Sequence, residues 1–566
     1  MSVELHLNGH ACPAEKGLSL FTHAEKLGVP VPTSCNQQGK CKECVVEVTD
    51  GMACLSPRGP EEKHLKGAFR LSCCARIAAE SGVVRAHTMR RGAMRIEKHA
   101  FELPVDRRTW KLEPAVTRDG DRILLDGAEI DRGTGPLHGL AVDLGTTTIV
   151  MRLLDLETGE VVADSSFENP QRFGGSDVMA RIQYDTEDRT KTLQRTLVGY
   201  LGRAIAEFPV PPRSIYEVVI AGNSTMRDLF FKLSVHSIGQ SPYQSLTELE
   251  LAEGRRTTTS LAETARRLGL PIHPQARVYG LPIISGHVGA DAAACMLAVD
   301  IANEERVVAV MDIGTNTELI VGNKHKVLAA SCPAGPAFEG GQIAFGMPGL
   351  PGAIEQVTIA EDGAVRTTVI GDVAPEGICG SGLVDLMSEL RRTERMNALG
   401  RFEHAQDFVV AESDGRPITF SEADINALAQ AKGANVAGLQ IAFAEYGLRF
   451  ADLGVFYLAG GFGRHLNLDS SRRIGLIPNI PAEKIIQVGN ASVEGACIAL
   501  LSRTKRAELE ALVKRVQHCR LETHPGFFDF FVNGCQFAPV EDNVGGALAA
   551  PRCATSAQPT KEGASS

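Results

Sequence analysis

The alternation of apolar and polar residues at the start of the chain predicts a strand over Val3–Leu7, because successive strand side chains point to opposite faces. Asn8 and Gly9 follow as a hairpin turn, a pair well suited to a two-residue connection. Residues 19–27 have the apolar spacing of a short helix, and residues 44–48 are typical of another strand. We therefore predict a small β-rich α+β domain with one helix, ending near residue 90.

A different pattern begins near residue 139 and predicts two related lobes. Residues 140–150 and 307–321 are apolar strands, and each is interrupted at the same point by Asp-x-Gly-Thr. Repetition of this strand–turn–strand unit indicates two lobes that face a shared cleft. Helices rich in alanine and leucine intervene at residues 290–299 and 425–434, so the expected class of this part is α/β.

Composition and charge narrow the possible functions. The 566 residues are 44% hydrophobic and 22% charged, which is ordinary for a globular protein. A formal net charge of -10 disfavours a nucleic-acid partner, because phosphate backbones are bound by clustered Lys and Arg. No apolar run is long enough to cross a bilayer, and the amino terminus lacks the regions of a signal peptide. We expect a cytoplasmic protein that binds neither nucleic acid nor membrane.

The cysteines are distributed unevenly, since seven of the 14 lie within the first 74 residues. A dense group followed by scattered thiols indicates one local metal site. Cys35, Cys41 and Cys44 lie in one short loop, and the fourth thiolate would be Cys73 or Cys74. Four converging thiolates are what an iron–sulfur cluster requires. A structural zinc site is the alternative, although such sites usually pair two Cys-x-x-Cys hooks.

The two Asp-x-Gly-Thr turns carry the residue types that bind a phosphate chain. A carboxylate can hold Mg²⁺ through water, a glycine lets the backbone approach, and hydroxyls donate to phosphate oxygens. We predict that Asp143 and Asp312 orient Mg²⁺ and water. The residues predicted to contact phosphate are Gly145, Thr146, Thr147, Gly314, Thr315 and Asn316.

A third glycine cluster, Gly460, Gly461 and Gly463, follows an apolar strand at residues 455–458. It resembles the adenosine-binding turn of the actin, Hsp70 and sugar-kinase superfamily, in which glycines let the purine and ribose pack on the backbone. The similarity covers roughly residues 139–500. It implies RNase H-like lobes that bind ATP with Mg²⁺.

The residue that orients an attacking water is left open by the sequence. The candidates are Asp177, Asp291, Glu318 and Glu339. Sugar kinases share this kind of nucleotide site, so phosphotransfer to a small hydroxyl is a competing activity.

The cysteine spacing resembles that of [2Fe–2S] ferredoxins, and this resemblance, together with the phosphate turns, divides the chain into five expected parts. They are a [2Fe–2S] ferredoxin-like domain over 1–92, a charged linker with little core over 93–137, a middle domain with the first phosphate turn over 138–210, a large nucleotide-binding domain over 211–548, and a disordered tail over 549–566.

Further segments resemble the reductive activators of corrinoid-dependent enzymes. They are residues 169–171, 177–182, 221–226, 312–316, 333–339 and 377–382. The cysteine spacing resembles that of [2Fe–2S] ferredoxins with a β-grasp fold, and on that alignment Cys73 is the fourth ligand and Cys74 stands where Gln is usual. Asn36, Gln37 and Lys42 stand where the ferredoxin loop commonly has Gly.

This resemblance implies an ATP-dependent, one-electron reduction of inactive Co(II) corrinoid to Co(I) through a [2Fe–2S] cluster. The implied partners are the corrinoid (cobalamin-binding) protein of a methyltransferase system and an upstream electron donor such as a ferredoxin or flavoprotein, and the implied assembly is a homodimer. Two other functions compete with this one: a nucleotide-regulated, redox-sensing binding module, and a kinase fused to a ferredoxin.

Overall fold

A computed structural model describes residues 3–33, 35–89, 110–188, 190–403, 407–413 and 415–542. Its first domain has a β-grasp arrangement. The elements are β1 (Val3–Leu7), β2 (His10–Ala14), α1 (Leu20–Lys26), β3 (Val45–Asp50), β4 (Phe69–Leu71) and β5 (Gly82–Thr88). The sheet order is β2-β1-β5-β3-β4, with β1 and β5 parallel. Ser19 caps α1 by accepting from the Thr22 amide, and Leu20 and Ala24 of this helix are buried with the strands.

A three-stranded sheet follows where the sequence suggested a linker with little core. Its strands, in sheet order, are β6 (Val116–Asp119), β7 (Arg122–Leu125) and β8 (Ala128–Arg132). Val116 and Ile123 are buried in the central core. Leu125 of β7 and Ile130 of β8 pack against the same core. The expected linker with little core is therefore corrected over residues 116–132, where each strand attaches the sheet through at least one apolar residue. Residues 93–109 of the expected linker, and the tail over 549–566, lie outside the described residues.

The first lobe contains a six-stranded sheet of order β11-β10-β9-β12-β14-β13. Its strands are β9 (His138–Leu144), β10 (Thr148–Asp155), β11 (Val161–Glu168), β12 (Ile215–Gly222), β13 (Leu261–Thr264) and β14 (Arg277–Gly280). Its helices are α2 (Val178–Glu187), α3 (Thr192–Glu207), α4 (Ser224–Phe230), α5 (Leu246–Ala252), α6 (Ala265–Leu268) and α7 (Ala290–Ala298). Because β12 pairs in parallel with β9, this sheet continues across the domain boundary expected after residue 210.

The second lobe has a six-stranded main sheet of order β24-β23-β15-β16-β17-β25 and two small sheets, β19-β18-β20 and β21-β22. Its strands are β15 (Val308–Ile313), β16 (Thr317–Gly322), β17 (Val327–Cys332), β18 (Ala353–Ile359), β19 (Val365–Val369), β20 (Gly377–Ile378), β21 (Asp407–Ser413), β22 (Arg416–Ser421), β23 (Val455–Ala459), β24 (Ile485–Gly489) and β25 (Gln517–His518). Its helices are α8 (Gly380–Arg392), α9 (Glu422–Tyr446), α10 (Leu468–Arg473) and α13 (Phe527–Gly534). Two further helices, α11 (Ala491–Leu501) and α12 (Arg503–Val513), follow β24 in the chain, and α11 packs against β9 and β12 of the first lobe.

The two main sheets have the same topology. The order β11-β10-β9-β12-β14 in one lobe corresponds to β17-β16-β15-β23-β24 in the other. In each, the first three strands in chain order are antiparallel and the next two are parallel. This duplication confirms the predicted pair of related lobes. Each phosphate turn connects the first two strands of its sheet, so the two turns face each other across the cleft.

Helix α9 is longer than the ten residues expected from the sequence. It begins with a capping box formed by Ser421 and Asp424 and ends at Gly447, which has a left-handed conformation suited to glycine. Its residues 431–443 are all buried, Lys432 and Asn435 among them, so this part lacks the one-sided apolar pattern that marks a surface helix. Of the helices in the described residues, none combines the length and apolarity that crossing a bilayer requires.

Candidate functional site

The first site is built on the loop between α1 and β3, which contains three of the predicted cysteine ligands. The loop passes four times through the left-handed backbone region, at Asn36 (φ 51°), Gln37 (φ 62°), Gly39 (φ 71°) and Lys42 (φ 62°). Glycine adopts such angles freely, whereas other residues pay roughly 1–2 kcal/mol each. The three residues that stand in place of glycine therefore store strain in this loop.

The loop and the turn after β4 bring cysteine sulfurs together. Cys41, Cys44 and Cys73 are buried, with exposures of 4%, 0% and 5%, and Cys35 is half-buried. The Sγ atoms of Cys44 and Cys73 lie 3.3 Å apart. The Sγ atom of Cys74 lies 3.7 Å from that of Cys73. Cys73 is thus the member of the adjacent pair that contacts the loop cysteine Cys44.

Hydrogen bonds within the loop favour thiolates. Burial alone would raise the pKa of Cys35, but donors from Cys41, Lys40 and Gln38 lower it to about 7. The contact with Cys73 lowers the pKa of Cys44, and the same contact, together with burial, raises the pKa of Cys73. Thiolates are the form that binds metals, and hydrogen bonds to sulfur are a main influence on cluster potential.

The donor set fits a [2Fe–2S] cluster. A [2Fe–2S] cluster distributes four thiolates over two irons. Cys44 contacts Cys73, and Cys35 interacts with Cys41 and Cys44, so the four predicted ligands lie in one group. The amide hydrogen bonds to the Cys35 sulfur supply the donors that such a charged group requires.

This sulfur site lies where the first domain packs against the first lobe. Cys44 shares an apolar cluster with residues of α3. The Arg195 guanidinium, also on α3, donates to the Cys41 carbonyl at 3.0 Å. An ion pair of 3.0 Å joins Arg172 to Glu47. The contact is therefore partly polar, as is usual for interfaces between domains that move.

The second site is a cavity of about 340 Å³ between the lobes. The predicted residues that line it are Asp143, Gly145, Thr146, Thr147, Asp312, Gly314, Thr315, Asn316, Gly460 and Gly461. Gly463 instead packs beneath it, where a Cβ would lie 3.4 Å from the Leu458 side chain. The structure thus gathers ten of the eleven predicted residues, contributed by both lobes, around one space.

The two aspartates occupy equivalent positions near the ends of β9 and β15. Asp143 accepts hydrogen bonds from Asn490 Nδ2 at 2.9 Å and Ser492 Oγ at 3.0 Å. Asp312 accepts from the Cys295 thiol at 3.3 Å. Burial raises the pKa of both carboxyls, and the charge of Asp143 helps raise that of Asp312 to about 7. A cation between them would offset both effects, because an opposite charge favours the ionised form.

The threonine hydroxyls of the two turns meet in the cavity. Thr147 Oγ1 and Thr315 Oγ1 are 2.8 Å apart. Both donate to one carboxylate oxygen of Glu339, from Thr147 at 3.0 Å and from Thr315 in a short contact. Hydroxyls that already donate to an anionic oxygen from both lobes can donate to phosphate oxygens in the same way.

Three of the four candidate carboxylates reach this cavity. Asp291, Glu318 and Glu339 line it. Asp177 has another role, because its side chain caps α2 by accepting from the Ala180 amide at 2.9 Å. Burial, followed by the charges of Asp143 and Asp312, raises the pKa of Asp291 to about 7.

Three asparagines support the first phosphate turn, and none of them was assigned a role from the sequence. Each caps a helix with its side-chain oxygen and donates with its nitrogen to the turn. Asn169 donates to the Gly145 carbonyl at 2.8 Å, and Asn223 to the Thr146 hydroxyl at 2.9 Å. Asn490 makes the bond to Asp143 described above. Asparagine before a helix is a recognisable capping signal, but this signal does not indicate the hydrogen bond from the side-chain nitrogen to the phosphate turn.

Three family models match the chain in order. Residues 4–78 match a 2Fe-2S iron-sulfur cluster binding domain, residues 138–304 match the RACo middle region, and residues 306–544 match the C-terminal domain of RACo, the ASKHA domain.

Relatives with similar sequences and structures are known. The chain is 30% identical over 454 residues to the corrinoid activation enzyme RamQ of Eubacterium limosum, covering 75% of this chain and 74% of the relative. It is 23% identical over 419 residues to the [Co(II) methylated amine-specific corrinoid protein] reductase of Methanosarcina barkeri, covering 70% and 76%. A solved structure of a reductive activator for corrinoid, iron-sulfur protein covers 95% of this chain and 99% of its own, with 26% identity and a TM-score of 0.69.

Proposed function

Since the chain belongs to the family of reductive activators of corrinoid proteins, we propose that it reduces an inactive Co(II) corrinoid on a partner protein to Co(I), in a reaction that depends on ATP. The observation that carries this proposal is the joining, in one chain, of a four-thiol pocket and a cleft with two facing phosphate turns. The partner is the corrinoid protein of a methyltransferase system.

Cys35, Cys41, Cys44 and Cys73 would hold the [2Fe–2S] cluster, which supplies one-electron transfer when bound. Cys73 is chosen over Cys74 because its sulfur contacts that of Cys44 at 3.3 Å. The amides that donate to Cys35 stabilise negative charge at that side of the pocket.

In the cleft, Asp143 and Asp312 would orient Mg²⁺ through water, and the hydroxyls of Thr147 and Thr315 would donate to the phosphate chain. Asn490 fixes the direction of the Asp143 carboxylate through its 2.9 Å bond. The raised pKa values of both aspartates, caused first by burial, support a cation at this point, because Mg²⁺ favours carboxylates reached through water.

The glycine cluster would receive the adenosine. Gly460 has φ +94°, and a Cβ there would lie 2.6 Å from the Ile313 carbonyl oxygen. Only glycine therefore lets this turn approach β15, the strand that leads into the second phosphate turn. Gly461 has open space in front of its Cα. Phe462 lies beside it and stacks on the buried ring of Phe338, with ring centroids 6.0 Å apart, so the turn has an apolar side suited to a purine.

Glu339 is the carboxylate best placed to orient an attacking water. It contacts hydroxyls of both phosphate turns, which places it beside the expected end of the phosphate chain. A carboxylate in this position would align water for in-line attack on the terminal phosphate.

Energy from the nucleotide is needed because Co(I) is a very strong reductant. Moving one electron across a gap of 100 mV costs about 2.3 kcal/mol, so a deficit of a few hundred millivolts requires several kcal/mol. Nucleotide binding can supply it if it favours the complex in which cobalt loses a ligand and becomes easier to reduce. The lobes would bind the partner protein in that complex.

The contact between the first domain and α3 would open for the electron to reach the corrinoid. The contact combines polar bonds, such as Arg195 to the Cys41 carbonyl at 3.0 Å, with a shared apolar cluster, and both would have to separate. An upstream donor such as a ferredoxin or flavoprotein would reduce the cluster, and the protein would act as a homodimer.

An anaerobic activation assay tests the proposal. Purified protein, a Co(II) corrinoid protein and a reductant should produce the Co(I) absorption band only when ATP is present. Cys41→Ser and Asp312→Asn should lose this activity, whereas Cys54→Ser, outside both sites, should keep it. Full Co(I) formation by a Cys41→Ser variant without a cluster would refute the electron route, and a phosphorylated small molecule would favour a kinase.

A further inference from the structure

The fourth cluster ligand is followed directly by a second thiol, and the local fold directs both toward the same pocket. In a strand, successive side chains point to opposite faces. Residues 72–74 instead form a turn, in which the Cys74 amide donates to the Leu71 carbonyl at 2.9 Å. As a result the sulfurs of Cys73 and Cys74 converge to 3.7 Å.

Cys74 also contacts the loop that carries the other ligands. A Cβ placed on Gly39 would lie 3.1 Å from Cys74 Sγ, so this sulfur rests on the loop backbone midway between Cys35 and Cys41. Cys73 touches the same loop at its far end, through the 3.3 Å contact with Cys44. The pair of thiols therefore spans the loop.

The separation of the two sulfurs matches that of two ligands on one metal. Thiolates bound at about 2.3 Å in a tetrahedral site are about 3.7 Å apart. Rotation of a cysteine side chain from one staggered position to the next moves its sulfur by about 3 Å. One such rotation, if directed toward Cys73, covers most of the 3.7 Å between the two sulfurs, so the exchange requires only a small further adjustment of the turn.

We propose that Cys74 is a reserve ligand of the cluster, which binds iron when Cys73 is absent or dissociates from it. In this exchange the Cys74 S–H bond breaks and an iron–sulfur bond to Cys74 forms in place of the one to Cys73. The proton passes to the released Cys73 thiolate or, where Cys73 is absent, to solvent, and no oxidant or reductant is consumed. The inference rests on the proposed function only in that it requires the cluster itself.

Iron and acid-labile sulfide per chain, measured after anaerobic reconstitution, test the proposal in four variants. Cys74→Ala should keep about two irons and the wild-type visible spectrum. Cys73→Ala should keep at least half of the iron, with changed visible circular dichroism and iron–sulfur stretching frequencies. The double variant Cys73→Ala/Cys74→Ala should be iron-free. Cys54→Ala is the matched control, because Cys54 packs against Gly82 instead.

The outcomes separate this inference from the proposed function. An iron-free wild type would overturn both. A loaded wild type together with a Cys73→Ala variant as empty as the double variant would overturn only the reserve role. Far-ultraviolet circular dichroism of each variant shows whether the chain is folded, and Cys73→Ser provides a second variant of the same ligand if Cys73→Ala does not fold. Loss of iron in Cys74→Ala alone would overturn the assignment of Cys73 as the primary ligand.

Discussion

Replacement of Glu62 by glutamine tests how the fourth cysteine ligand is held in place. Glu62 and Arg70 form a buried ion pair, with exposures of 0% and 2%. Arg70 Nε and Nη2 donate to the two carboxylate oxygens at 2.8 and 2.9 Å. The Leu71 amide donates to the same carboxylate at 2.9 Å. This arrangement fixes the strand that leads directly to Cys73.

The expected loss of folding stability follows from the burial of both Glu62 and Arg70. Breaking a buried ion pair by changing one partner costs about 3–5 kcal/mol, because the remaining charge has no partner. Glutamine retains the shape and one acceptor of Glu62, so we expect the lower end, about 3 kcal/mol. For a domain of this size that corresponds to a fall in midpoint temperature of roughly 12–24 °C.

The loss of stability caused by Glu62→Gln should depend on pH in a defined direction. Burial opposes ionisation of Glu62, but hydrogen bonds from Arg70 and Leu71 lower its pKa in the folded protein. A lowered pKa adds stability above the unfolded value, near 4.3, and this stability is lost as pH falls through the folded value. The difference between wild type and Glu62→Gln should therefore be constant near neutral pH and shrink in acid.

Thermal unfolding of the full chain, followed by the visible absorption of the cluster, measures this domain alone. Glu80→Gln is the control, since Glu80 pairs with Lys16 at the surface and such pairs contribute little. A Glu62→Gln midpoint within about 3 °C of the control would refute the reasoning, since it corresponds to less than 1 kcal/mol.

Three further predictions concern the nucleotide and domain contacts. Thr315→Val removes a hydroxyl that should donate to phosphate, so nucleotide affinity measured by calorimetry should fall about 10-fold or more, and unchanged affinity would contradict the role. Gly460→Ala places a Cβ 2.6 Å from the Ile313 carbonyl and should weaken nucleotide binding, whereas Gly415→Ala, at an exposed turn, should not. Arg195→Ala loses the 3.0 Å bond to the Cys41 carbonyl, so hydrogen exchange in residues 35–44 should accelerate about 5-fold or more; exchange equal to wild type would show that this bond does not hold the domain.

The repeated strand–turn pattern made the two lobes predictable from sequence. Asp143 and Asp312 each interrupt an apolar strand with the same turn, and the sheets around them have the same strand order. The three-stranded sheet over β6–β8 was not predictable in this way. Its strands have only four or five residues each and carry several charges. Val116 and Ile123 are buried in the core and Leu125 and Ile130 pack against it, which is too few positions on each strand to give a clear alternation.

Contacts between residues that are distant in the chain could also not be predicted from the sequence. Asn490 and Ser492 donate hydrogen bonds to Asp143 from more than 300 positions away in the chain. Neither lies in a sequence motif that indicates which residue it contacts. The packing of the first domain on α3 is of the same kind, since it depends on shape and on single bonds such as Arg195 to Cys41. Sequence pattern reports local periodicity, whereas these contacts arise only after the lobes assemble.

The most direct test of the central claim is a single-turnover experiment. The protein is reduced, freed of excess reductant and mixed anaerobically with a Co(II) corrinoid protein, with and without ATP, while cluster and cobalt absorption are recorded together. The account predicts that with ATP the cluster is reoxidised and Co(I) appears at one rate, in a ratio of about one to one, and that without ATP neither change occurs. Co(I) that forms without ATP, or without reoxidation of the cluster, would contradict it.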